Sequence, residues 1–254
     1  VIPIPIRRVL STIRRFDVPA LLMGGQACVL YGAAEFSRDV DLAVLATPEA
    51  LPRLRAAIDD LAARVIAVPP FEARWLLGGH AVHFEVPGGD DPPLRVDVMS
   101  RMRGVDPFDL LWARRTTIML PTDGEELPVE VMALPDLVQA KKTQRDKDWP
   151  MLRRLVDASY AAERDVRTPA LVAFWLAELR SPEFLRELVA LEPEAAAMHG
   201  RPAVRAALVD GDLAGALAAE QAEEVAADRA YWQPLRRELE RLRHAARPPR
   251  PDAS

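Results

Sequence analysis

A single cysteine, Cys28, stands among 254 residues. Neither a disulfide framework nor a cysteine-rich zinc site can be built from it, and the chain suits a reducing compartment. Long apolar runs are missing too. Prolines and arginines interrupt the opening VIPIPIRRVLSTIRRF before it reaches the length of a signal-peptide core, and no stretch is long enough to span a membrane, so a cytoplasmic chain is expected. Positive charge is not in excess: a formal net charge of −5 argues against a non-specific nucleic-acid coat while leaving room for a local basic patch. Aromatic residues make up only 6%, and Trp75, Trp112, Trp149, Trp175 and Trp232 are scattered, which suits packing better than a base-stacking platform. What is abundant is apolar surface. Half of the residues are hydrophobic, enough for the core of one large domain or two small ones.

Along the chain, an amphipathic opening segment precedes ALLMGG, which reads as a short buried strand entering a turn, and QACVLYGA continues as a helix ending near Gly32. DVDLAVLA is a strand. Thr47, Pro48 and Glu49 then supply a helix start, and LPRLRAAIDDLAARV carries the spacing of an amphipathic helix. GHAVHFEV and LRVDVMS alternate like half-buried strands and flank the turn-rich PGGDDPP, which predicts a hairpin. LPVEVM is one more strand. From about residue 134 onward only helical spacing is seen, with Pro135 near the first turn. The expected fold is therefore α/β first, a small mixed sheet with flanking helices, and all-helical afterwards. The division falls into a core over residues 1–132, a helical region over 133–247 and a disordered tail over 248–254.

Chemistry concentrates in MGGQACVLYGAAEFSRDVDLAV, residues 23–44. Side chains alternate across a strand, so Asp39 and Asp41 project to one side. Like charges placed that close need a cation or hydrogen bonds to offset their repulsion, and hard oxygen donors favour magnesium or manganese. Asp97, centred in the apolar strand LRVDVMS, is a third acid that would complete a three-carboxylate metal cradle. Gly24 and Gly25 lie between strand and helix, where backbone N–H groups can approach phosphate oxygens with no Cβ in the way.

Taken together, GGQACVLYGAAEFSRDVDLAV resembles the signature of the DNA polymerase β-like nucleotidyltransferase superfamily, a glycine pair opening a helix followed by an Asp-x-Asp strand. Asp97 resembles its third carboxylate. LPVEVMALPDLVQAKKTQRDKDWPMLRRL is similar to the segment after the core in bacterial members related to AbiEii-type toxins and minimal nucleotidyltransferases. The match covers roughly residues 18 to 160. It implies transfer of a nucleoside monophosphate from an NTP to an acceptor hydroxyl with release of pyrophosphate. Asp39 and Asp41 would bind two magnesium or manganese ions, Asp97 would bind the ion on the nucleophile side, and Gly24, Gly25, Arg38 and Lys141 or Lys142 would hold the triphosphate. Two positions depart from the pattern: Gly25 replaces a common serine, and Glu35 stands where relatives often carry a basic residue.

Those departures motivate a second expectation, a nucleotide-binding or regulatory module without turnover. The acceptor on the enzymatic reading is a tRNA or a protein, as in the toxin branch, or a small alcohol such as an aminoglycoside. A third expectation is an interaction protein whose helical half binds a partner such as a cognate antitoxin. Plainer readings stand beside these. Lys141, Lys142, Arg145 and Lys147 suit a solvated helix face diluted by Asp146 and Asp148. His80 and His83, three apart in one expected strand, face opposite ways and read as ordinary strand residues. The segment from Asp212 to Arg247, acidic and then basic, reads as a bundle or a helix pair.

Overall fold

The computed structural model describes residues 2–34, 36–89, 92–121, 124 and 126–245. The expected tail over 248–254 and Glu35 lie outside them. The chain divides into two compact units. One comprises the residues up to Gln26, Arg38–Met132 and the chain from Ala230; the other comprises Ala27–Ser37 and Ala133–Arg229.

The first unit opens with helix α1 (Ile4–Arg15), whose Ile6, Val9, Leu10 and Ile13 recur at helical spacing and are buried. Strand β1 (Ala20–Met23) runs into helix α2 (Gly24–Leu30), whose residues from Ala27 belong to the second unit, and strand β2 (Val40–Val44) returns antiparallel to β1. Val40, Leu42 and Val44 are buried, each contributing roughly 1.5–3 kcal/mol through apolar area removed from water. Helix α3 (Ala50–Asp60) packs against α1, with Thr47 Oγ1 accepting from the Ala50 N–H at 3.3 Å at its start. Strand β3 (Arg64–Val65), helix α4 (Ala73–Leu77), strands β4 (Val82–Val86) and β5 (Leu94–Met99), helix α5 (Phe108–Ala113) and strands β6 (Thr116–Leu120) and β7 (Leu127–Val131) follow. Among the described residues the strands form one seven-stranded sheet in the order β3-β4-β5-β2-β1-β7-β6. β1–β7 and β2–β5 are parallel and the other pairs antiparallel, so the sheet is mixed.

The second unit is helical: α6 (Leu134–Ala140), α7 (Asp148–Glu163), α8 (Pro169–Glu178), α9 (Pro182–Leu191), α10 (Pro193–Met198), α11 (Pro202–Leu208) and the first half of α12 (Leu213–Ala245). Four successive helices, α8 to α11, begin on a proline. The fixed φ of proline suits the first turn, where its missing N–H would have no helical partner anyway, so prolines that look like breakers act as starts. Among the described residues no helix is long and apolar enough to cross a membrane.

The mixed α/β core and the helical region match the sequence reading, including the β4–β5 hairpin. Local boundaries differ. The amphipathic run expected to continue through Val65 stops at Asp60, because Ala62 takes a positive φ of 53° and turns the chain into β3. The helical region expected from about residue 134 is interrupted at 141–147, between α6 and α7. There the Thr143 hydroxyl donates to Asp148 Oδ2 at 2.5 Å and the Trp149 indole N–H donates to the Thr143 carbonyl at 2.9 Å, holding a turn. The C-terminal segment, expected as part of a bundle or as a helix pair, forms one helix of 33 residues that carries Pro234 inside it.

Candidate functional site

The register of the sheet explains the spacing between the glycines and the aspartates. Met23 pairs with Asp41 across the antiparallel β1–β2 ladder, so Gly24, the next residue, reaches Asp41. The chain needs α2 and a return loop to come back alongside itself. Gly24 has φ +64°, and a Cβ built on it would collide with the Asp41 carboxylate. Glycine is required here for both reasons. The Gly25 N–H points to Asp41 Oδ2 at 3.4 Å.

On the other side of β2, the parallel pairing with β5 sets Asp41 directly beside Asp97. Neighbouring strands lie about 4.8 Å apart, and paired residues share a face. Two carboxylates from distant parts of the chain thus stand side by side next to the diglycine turn. Asp39, exposed and just ahead of β2, is two residues before Asp41, and Arg38 is exposed beside it.

Two basic groups that the sequence reading left out complete the arrangement. Arg95, two residues before Asp97 on β5, grips it with both arms, Nε donating to Oδ1 at 2.8 Å and Nη2 to Oδ2 at 2.9 Å. His83 pairs with Asp97 across the antiparallel β4–β5 ladder and places Nδ1 2.8 Å from Asp97 Oδ1. The same Nδ1 lies 3.0 Å from Arg95 Nη2. One nitrogen cannot serve both neighbours at once: protonated, it donates to Asp97; bare, it accepts from Arg95.

His83 therefore is not an ordinary strand residue. His80, expected in the same strand, precedes β4, so alternation fixes the direction of His83 alone; its partner depends on register between strands, which no spacing within one segment reveals. Arg95-x-Asp97 does carry a signal in the sequence, since residues two apart on a strand share a face.

Electrostatics tie the acids together. The Arg95 guanidinium is raised above its usual value by its hydrogen bond to Asp97; burial opposes this, and the charges of Asp97, Asp39 and Asp41 add to it. All three acids act on one cation. For Asp97, burial is the largest influence and pushes its carboxyl up, but the hydrogen bonds and charges of His83 and Arg95 outweigh it and leave the carboxyl below its usual value. A depressed folded-state value means that Asp97 contributes stability above the unfolded carboxylate range and loses it as pH falls through the folded value. Thermal unfolding of the protein and of Asp97→Asn across an acid pH series is expected to show a gap at neutral pH that closes toward low pH. A gap independent of pH would show that the carboxylate charge is not what Arg95 and His83 stabilise.

Among the described residues no group of three or more His, Cys, Asp or Glu side chains is already arranged to hold a metal ion. The donors present are hard carboxylate oxygens, and the positive charge beside them is Arg95, which bonds Asp97 and feels the charges of Asp39 and Asp41.

Lys141 and Lys142 belong to the helical unit. The Lys142 ammonium is buried and lies 2.7 Å from Glu178 Oε1 and 3.7 Å from Glu224 Oε1, while Lys141 Nζ lies 3.7 Å from Asp148 Oδ1. The expected solvated lysine face is, at position 142, an interior ion pair.

No protein-family model and no curated protein matches the chain. Solved structures do align. An antigenic nucleotidyltransferase-like protein from Paracoccidioides brasiliensis aligns at 16% identity over 71% of this chain and 94% of its own, with a TM-score of 0.41. ANT(2")-Ia in complex with adenylyl-2"-tobramycin aligns at 15% identity over 74% and 95%, with a TM-score of 0.33. A solution structure of the antibiotic-resistance factor ANT(2'')-Ia aligns at 16% identity over 74% and 93%, with a TM-score of 0.36.

Proposed function

We propose that the chain is a metal-dependent nucleotidyltransferase, moving a nucleoside monophosphate from an NTP to an acceptor hydroxyl and releasing pyrophosphate. The observation that carries this reading is the pairing of Asp41 with Asp97 on adjacent parallel strands, against the diglycine turn. Adjacent carboxylates in a folded protein call for a cation, and the missing Cβ of Gly24 lets the Asp41 carboxylate seat against the turn. Asp39, Asp41 and Asp97 would hold magnesium or manganese. Such an ion, when bound, neutralises phosphate charge and lowers the pKa of an attacking hydroxyl.

The remaining roles fall to groups of this chain. Gly24 keeps Asp41 seated, the Gly25 N–H points to the Asp41 carboxylate, and exposed Arg38 attracts the triphosphate. His83 and Arg95 hold Asp97 ionised, so that it can ligate or accept a proton. The Arg95 side chain is 46% exposed, so the site it helps to form opens to solvent on that side. Lys142 has no phosphate role in this reading because its charge is already matched.

A second reading, a nucleotide-binding module without turnover, is favoured by one observation: both Asp97 oxygens are already engaged by Arg95. One experiment addresses both. Each α-labelled NTP is offered with magnesium or manganese to the protein in a cell extract. Metal-dependent transfer of label to RNA, protein or a small alcohol supports the enzyme and names the acceptor class; transfer to RNA or protein would also motivate a search for a cognate antitoxin and a defence role. Tight nucleotide binding with no pyrophosphate release supports the module. Neither binding nor transfer overturns both.

A further inference from the structure

The last helix, acidic in its first half and basic in its second, has no part in the chemistry proposed above. Its acids are occupied. Glu220 accepts from Arg201 Nε at 2.9 Å, Glu224 lies 3.7 Å from the Lys142 ammonium, and Asp228 accepts from the Gln144 N–H at 2.8 Å. Its later arginines are not. Arg236, Arg237, Arg241 and Arg243 are exposed, and among the described residues none of their guanidinium groups has a hydrogen bond or an ion pair. Other exposed arginines of the first unit, such as Arg15, Arg53, Arg64 and Arg114, do hold an acid.

Tyr231, Leu235, Glu238 and Leu242, spaced i, i+4, i+7 and i+11, are half-buried on one side of this half of α12. Tyr231 and Leu235 stand against Gly79, and Glu238 meets His80. The period of the helix turns the four arginines away from that side, with Glu240 the one acid among them. They span about 10 Å of helix axis. No large apolar residue of Ala230–Ala245 is among the exposed ones.

We propose that this face docks the phosphate backbone of a nucleic acid. A protein partner would be held by apolar or aromatic anchors at the centre of the contact, and a membrane by apolar side chains that insert. This face supplies neither. Phosphate oxygens ask only for donors carrying positive charge, and a guanidinium meets them two at a time. Contacts of that kind position a duplex without reading its bases. A chain of net charge −5 leaves such binding little support elsewhere, which confines it to the patch. The docking stands without the transferase reading; only its consequence rests on that reading, namely that the acceptor hydroxyl belongs to a nucleic acid and not to a small alcohol. RNA and DNA share this backbone chemistry, and the test separates them.

The test is fluorescence anisotropy of a labelled RNA hairpin and of a DNA hairpin of the same sequence, with the whole chain and with neither metal nor NTP. At least one hairpin is expected to bind, with an affinity that falls about a hundredfold between about 50 and 200 mM salt, as four phosphate contacts require. Arg237→Gln with Arg241→Gln should weaken binding about tenfold at the lower salt and flatten the salt dependence. Glu240→Gln should tighten it. Glutamine and arginine favour helix about equally, so circular dichroism stays unchanged. The charge-matched pair Arg8→Gln with Arg14→Gln, exposed on α1, should have little effect. Failure of both hairpins to bind overturns the proposal. So does an Arg237 and Arg241 variant that loses no more than the α1 pair, or a labelled polyglutamate peptide that binds more tightly than either hairpin, which would make the face a site for an acidic protein. Docking without transfer of label to nucleic acid would leave the surface standing and remove the nucleic acid as acceptor.

Discussion

Replacing Asp41 with asparagine is expected to lower metal-dependent pyrophosphate release by about a thousandfold, the scale on which loss of one fixed electrostatic partner of developing charge is felt. The substitution keeps the side-chain shape, so the Gly25 N–H still has an oxygen to point at and the space left by Gly24 stays filled. It removes one of two like charges placed side by side by the β2–β5 register. The thermal midpoint should therefore hold or rise while activity collapses, and manganese binding should weaken in parallel. This opposite movement separates a functional carboxylate from a structural one. Turnover that survives in Asp41→Asn would remove Asp41 from the site and with it the metal-dependent reading.

The second large effect is on stability and lies in the helical unit. Lys142→Met is expected to destabilise the fold by about 3–5 kcal/mol, because truncating one member of a buried ion pair leaves the other charges uncompensated. Here those are Glu178, 2.7 Å from the ammonium, and Glu224 at 3.7 Å. Arg180 also feels both glutamates, and its guanidinium is pushed below its usual value by burial and by Arg201, so partial compensation favours the lower end of that range. Urea unfolding of the variant measures the loss. An unchanged midpoint together with a raised KM for nucleotide would instead make Lys142 the phosphate ligand that its place in KKTQRDKD suggests.

Lys142 also shows where the sequence stops being legible. A lysine among Lys141, Thr143, Arg145 and Asp146 looks solvated because its neighbours in sequence are polar. Its burial is decided by Glu178 and Glu224, 36 and 82 positions away, and no local pattern announces them. The strands around Asp41 and Asp97 were readable because alternation of apolar and polar residues is a local property. So was the turn at Gly24, since only a few conformations link a strand to a helix there. β3 and β6 carry no local signal: β3 is too short to show a period, and TTIML is separated from α5 only by Arg114 and Arg115, with no Gly, Pro, Asn or Asp to mark a turn. His83 was legible as a strand residue but not as a partner of Asp97, because register across a hairpin with a long connection is fixed by the packing of whole faces. Arg95 needs no distant information: two residues before Asp97 on one strand, it shares that carboxylate's face.

The last helix has a bearing on how the protein is made. Its C-terminal half, from Ala230, belongs with the sheet, where Glu238 Oε2 lies 2.7 Å from Nε2 of the buried His80 and Tyr231 stands against Gly79. A ribosome therefore delivers the strands bearing Asp41 and Asp97, the later ending at Met99, about 130 residues or more before the piece from Ala230 that seals His80. The nascent sheet must wait, incomplete, while the entire helical unit emerges.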